Sequence, residues 1–171
     1  MVYYPPMLAT GIIHHVNALE IVRHPWFMSV FLAGSIVQLL KFAVASIRAG
    51  RLSWRALVAT GGMPSCHSAL VSALAFAVGF TDGFDAPYAM VAFGLGLIVL
   101  IDAVTLRHEA GEHAKLLNRI IQHLNTVNDD DRIEARRLEE QLGHTVREML
   151  AGVMFGGFVA FVVCAIWDFW K

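Results

Sequence analysis

Apolar runs from Trp26 to Ile47, Ser68 to Phe80, Tyr88 to Ile101 and Met149 to Trp167 leave this chain few folds to choose from. A helix needs about 20 residues to cross the hydrocarbon core of a bilayer. Trp26 to Ile47 meets that length, although Gln38 and Lys41 interrupt it. Composition agrees with this reading. The chain is 57% hydrophobic and 16% charged, against roughly 25% charged in soluble domains, and its mean hydropathy is +0.58. The charges are concentrated in a polar block from Arg107 to Arg147. These features predict an integral membrane protein. The fold class is all-α, a polytopic membrane helix bundle with about four to five spanning or partly inserted helices.

Residues 1–25 read as an N-terminal interfacial or partly inserted segment, and residues 26–171 as the membrane domain. The start of the chain has no basic n-region and does not look like a cleaved signal. Cys66 and Cys164 lie far apart in sequence and suggest no disulfide framework. The net charge of −1 says nothing about partners, and no nucleic-acid partner is expected. Within the polar block, Asn125 to Asp131 reads as a loop and Arg132 to Gln141 as a short charged helix.

The stretch from Thr60 to Leu70, Thr-Gly-Gly-Met-Pro-Ser-Cys-His-Ser-Ala-Leu, sets a helix-breaking loop directly against a helix start. Free N–H groups and a partial positive charge make such a start a seat for phosphate. Ser65 can cap the helix or bond the phosphate, and His67 can protonate a leaving oxygen. Taken alone, the segment fits an ordinary serine cap with a bystander histidine equally well. The helix that follows is short for a full span, which predicts that the Pro64–His67 corner lies in a recess below the membrane surface.

Alternating the spans across a bilayer gathers the other polar residues on the same side. Lys41 and Arg48 are seven apart, so they share a helix face. They serve either as interfacial anchors or as cations for an anion. Asp102 and Arg107 close the third run and can simply pair with each other. His144 follows Gly143, and Glu148 lies four residues later. A carboxylate there can accept the ring N–H and make the other nitrogen a better nucleophile. All Lys and Arg except Arg23 and Lys171 fall on that side, eleven of the thirteen. This predicts a cytoplasmic face. A metal site from His108, His113 and His123 is disfavoured, because their spacings do not stack on one helix face.

These residues resemble the divergent, small branch of the type 2 phosphatidic acid phosphatase and vanadium haloperoxidase superfamily. Lys41 and Arg48 match its Lys-x6-Arg-Pro signature, with Ala49 for proline. Pro64-Ser65-Cys66-His67 matches Pro-Ser-Gly-His, with Cys66 for glycine. His144 and Glu148 match the end of Ser-Arg-x5-His-x3-Asp, with Leu138 where the arginine would stand. Asp102, Arg107 and Gly111 match the stretch that the divergent branch carries instead.

The resemblance implies a metal-independent phosphatase with no cofactor. His144 would be the nucleophile, Glu148 its orienter and His67 the acid. Lys41, Arg48, Ser65, Cys66 and Arg107 would hold the phosphoryl oxygens, with Asp102 supporting. The implied substrate is a membrane lipid phosphomonoester or polyprenyl diphosphate. A non-catalytic lipid-phosphate binder, or a carrier of a phosphorylated solute, is the alternative. The expected setting is the plasma (inner) membrane, with a homodimer plausible for so few spans.

Overall fold

A computed structural model of the chain describes residues 18–54, 62–127, 137–140 and 143–170. Gly61, residues 7–17 of the N-terminal segment and most of the Asn125–Gln141 stretch lie outside the described residues. Among the described residues six helices follow one another: α1 Ala18–Arg23, α2 Pro25–Ala49, α3 Cys66–Asp82, α4 Pro87–Val104, α5 Leu106–Val127 and α6 Val146–Phe169. No strand occurs among the described residues. The protein is an all-α membrane bundle. Among the described residues three helices are long and apolar enough to cross a membrane, and α3 is a shorter apolar one.

Caps explain the helix boundaries better than apolarity does. His24 caps α2 by accepting the Trp26 N–H on Nδ1 at 3.4 Å, and Gly50 closes α2 at φ 61°. Ser65 caps α3, its Oγ accepting the Ser68 N–H at 3.3 Å. Thr145 caps α6, which therefore starts at Val146, three residues ahead of the apolar run expected from Met149.

The polar block departs from expectation in two places. Residues 125–127 are helical rather than loop. The amphipathic pattern through Ile120, Ile121, Leu124 and Val127 carries α5 on past Asn125. Residues 137–140, expected to be helical, are irregular. The Asn118 side chain on α5 bonds both backbone groups of Leu138 there.

Helix α3 sits at the centre, packed against α2, α4 and α6. It runs parallel to α6: the two starts meet where the Ser65 N–H donates to the Glu148 carbonyl at 3.0 Å. Near the far end the Cys164 thiol lies 3.9 Å from the Ala77 carbonyl. The seam is made of small residues, Ala69, Ala73 and Ala77 against Gly152, Gly156 and Ala160. A side chain at Gly152 would strike the Ser65 carbonyl and Ser68, and one at Gly156 would strike Ala69 and Ser72. Close backbone approach of this kind drives helix association in lipid. At the opposite end, Trp26 Nε1 donates to Thr81 Oγ1 at 2.7 Å and ties the start of α2 to the end of α3. Large side chains such as Phe31, Leu39, Val91, Ile98, Met154 and Phe158 are exposed around the bundle. That surface suits hydrocarbon rather than water.

Candidate active site

The end of the bundle defined by the starts of α3 and α6 is polar. Ser65 is fully buried, fixed by its cap bond and by the backbone bond to Glu148. Cys66 and His67, in the first turn of α3, are half-buried. Their N–H groups precede the intrahelical ladder, as at any helix start.

His144 is delivered by the chain rather than by a helix. It lies one residue before the Thr145 cap. Its backbone N–H donates to the Ala103 carbonyl at the end of α4, at 3.0 Å. Gly143 before it has φ +82°, and a Cβ there would collide with the backbone of Arg107 and His108. Glycine is thus required at that corner on two counts, conformation and space. The His144 side chain is 5% exposed, and its ring centroid lies 6.2 Å from that of His67.

Glu148 has two duties. Its Oε2 accepts the Thr145 N–H at 2.9 Å, while Thr145 Oγ1 accepts the Glu148 N–H at 3.3 Å, forming a reciprocal capping box. The same Oε2 faces His144 Nδ1 at 3.5 Å, an ion-pair separation at which Nδ1 has no formed hydrogen bond. The pairing expected along one helix face therefore arises at a helix cap. Burial pushes the His144 imidazole below its ordinary value; Glu148 opposes the shift, and Lys41 and Arg107 add to it. A neutral imidazole with a carboxylate behind it is the form a nitrogen nucleophile needs.

The remaining residues named from sequence divide. Lys41 is half-buried and lies within electrostatic reach of Cys66, Glu148, His67 and His144. Arg107 acts on both histidines, and Asp102 on His67. Arg107 is also paired, its Nε donating to Asp102 Oδ2 at 2.9 Å. Arg48 is exposed in the last turn of α2. Among the described residues no contact joins it to the histidines. A cavity of about 870 Å³ lies elsewhere, between α5 and residues 137–140.

Two features of the site were readable in the sequence but not drawn from it. Thr145-x-x-Glu148 is a capping-box pattern, and Gly152-x3-Gly156 is a close-packing pattern for membrane helices. The Ala103 carbonyl that anchors His144 leaves no sequence signal.

An all-α membrane bundle here gathers a capped helix start, two neighbouring imidazoles and nearby cations at one end. Proteins of this class are recognised by how such motifs are spaced along the chain. The chain belongs to the divergent PAP2 family, whose sequence model matches residues 22–159. It is 30% identical over 146 residues to the uncharacterized membrane protein YuiD of Bacillus subtilis (strain 168), covering 81% of this chain and 92% of that one. No solved structure shows a significant match.

Proposed function

We propose that the protein is a membrane phosphohydrolase that cleaves a lipid phosphomonoester or a polyprenyl diphosphate through a phosphohistidine. The observation that carries this reading is the pair of imidazoles, His67 and His144, with centroids 6.2 Å apart and Glu148 behind one of them. A single phosphoryl group fits between two rings at that separation, with each nitrogen near hydrogen-bond reach.

In the first step, the Nε2 lone pair of neutral His144 attacks phosphorus while Nδ1–H points at Glu148. The bond from phosphorus to the leaving oxygen breaks, and protonated His67 gives that oxygen its proton. Water then attacks the phosphohistidine, His67 takes a proton from it, and phosphate leaves with His144 restored. Lys41, Arg107, Ser65 and the first-turn N–H groups of Cys66 and His67 hold the phosphoryl oxygens as charge builds on them. The reading includes one domain from residue 26, an active face on the cytoplasmic side of the plasma (inner) membrane, and assembly as a homodimer. The basic residues gathered at the site end support that orientation.

The binding or carrier reading also has observations in its favour. Arg107 is already paired with Asp102, and Arg48 is exposed away from the histidines, so the phosphate grip is thinner than the motifs imply. A phosphate-release assay on purified protein decides between the two, run across phosphatidate and polyprenyl phosphates with His144→Ala as control. Release that depends on His144 supports the phosphohydrolase. Retained lipid-phosphate binding without release from any substrate supports the binder.

A further inference from the structure

Residues 137–140 belong to no helix or strand, yet they form the approach to His144, with three residues between Glu140 and that histidine. A segment of this kind has backbone groups that would otherwise bond only to water. Asn118, half-buried on α5, takes up both groups of one residue. Its Oδ1 accepts the Leu138 N–H at 3.0 Å, and its Nδ2 donates to the Leu138 carbonyl at 3.0 Å. The same Nδ2 donates to Glu140 Oε1 at 2.8 Å, and Arg137 Nη2 donates to that oxygen at 3.3 Å. The carboxamide thus imitates a neighbouring strand for a single residue. Its orientation follows from its partners, since only the oxygen can receive the Leu138 N–H. Among the described residues that follow, Gly143 is wedged against the start of α5 and the His144 N–H donates to the Ala103 carbonyl. Both anchors of the segment therefore lie on, or beside, the α4–α5 unit.

We propose that Asn118 is a positioning residue for His144, its carboxamide fixing the incoming segment so that the imidazole is held buried opposite His67. As an effect on catalysis, this rests on the phosphohydrolase reading above. As an effect on His144 itself, it does not. A displacement of about 1 Å at a reacting group can cost up to about a hundredfold in rate. Loosening one of two anchors is accordingly expected to cost about tenfold.

The test uses the purified full chain in detergent, with phosphatidate in mixed micelles as the substrate. Asn118→Leu should lower kcat about tenfold, with KM within about twofold and the thermal midpoint unchanged. Asn118→Asp sets an oxygen against the Leu138 carbonyl and Glu140 and should be as poor. Adding Glu140→Gln supplies a donor opposite that oxygen and should recover most of the loss. Carbethoxylation of His144 by diethyl pyrocarbonate, followed by mass spectrometry, gives a readout independent of turnover. It should be slow in wild type and at least about fivefold faster in Asn118→Leu. If wild type releases no phosphate but the reactivity change appears, the phosphohydrolase reading falls and the positioning role stands. Unchanged kcat in an active enzyme, or unchanged His144 reactivity in either case, overturns the positioning role. So does a loss of kcat that only tracks a lowered thermal midpoint.

Discussion

The Ser65 backbone N–H donates to the carbonyl of Glu148 at 3.0 Å, joining the start of one membrane helix to the first turn of another. The bond ties the two motif segments to each other directly. Ser65 is bonded to the backbone of Glu148, whose carboxylate faces the imidazole of His144. The contact is possible only because Gly152, one turn further along α6, leaves room for the Ser65 carbonyl.

That dependence gives a first prediction. In Gly152→Ala the new methyl would meet the Ser65 carbonyl and come within 2.8 Å of Ser68 Cβ, so the helices must part. Overpacking of this kind costs about 1–3 kcal/mol. Phosphate release should fall along with stability, because the displaced atoms belong to the site. Gly94→Ala is the control: it is exposed on α4 and a methyl there meets nothing within 4 Å. Thermal unfolding in detergent should show a lowered midpoint for the first variant and none for the second.

Glu148 should reveal its two duties through two substitutions. Glu148→Gln keeps an oxygen for the Thr145 N–H, so α6 stays capped and stability barely moves. It loses the charge facing His144 Nδ1, and turnover should drop strongly without vanishing. Glu148→Ala loses both, adding a capping cost of about 1 kcal/mol. Equal thermal midpoints for the two variants would show that the capping box contributes nothing.

How much of this was legible in the sequence depends on the range of the physics involved. Ser65 as a helix cap, and the apolar spans, follow from neighbours within one turn, and both are found where expected. Helix ends differ from the apolar runs where a cap or a polar residue extends the helix: the Thr145 cap starts α6 ahead of Arg147 and Glu148, and α5 continues past Asn125. Lys41 and Arg48 share a face, but spacing along a helix cannot say which turn reaches a partner. Only the packing of α2 on α3 does, and it leaves Arg48 exposed. Asn118 carries no motif, because its partner Leu138 is recognised through its backbone.

The pH dependence follows from the buried imidazole. His144 is held below the ordinary histidine value of about 6.5 by burial, with Lys41 and Arg107 adding and Glu148 opposing. The unfolded chain therefore takes up this proton near 6.5, while the folded protein resists until a lower pH. Stability contributed by this group is full above 6.5 and falls as pH drops from there to the folded value. The proposed reaction needs the neutral ring, so the acid limb of kcat/KM assigned to His144 should also lie below 6.5. Unfolding midpoints measured from pH 8 to 5 for wild type and His144→Asn test the first statement. The variant should lose part of the decline.

Lys41 and Arg48 provide the last test, because the motif treats them alike and the structure does not. Lys41 lies within electrostatic reach of Cys66, His67, His144 and Glu148, whereas Arg48 is exposed in the last turn of the same helix. A charge-assisted hydrogen bond to a phosphoryl oxygen contributes about 1.5–3 kcal/mol. Lys41→Ala should accordingly lower kcat/KM by about ten- to a hundredfold, and Arg48→Ala by less than about threefold. Lys41→Ala carries a second signature. Because the ammonium helps to hold the His144 proton off, its removal should let that pKa rise. The acid limb of the rate profile should then move toward neutral pH in Lys41→Ala and stay in place in Arg48→Ala. Equal losses in the two variants, with no shift of the limb in either, would return Lys41 to the role of an interfacial anchor.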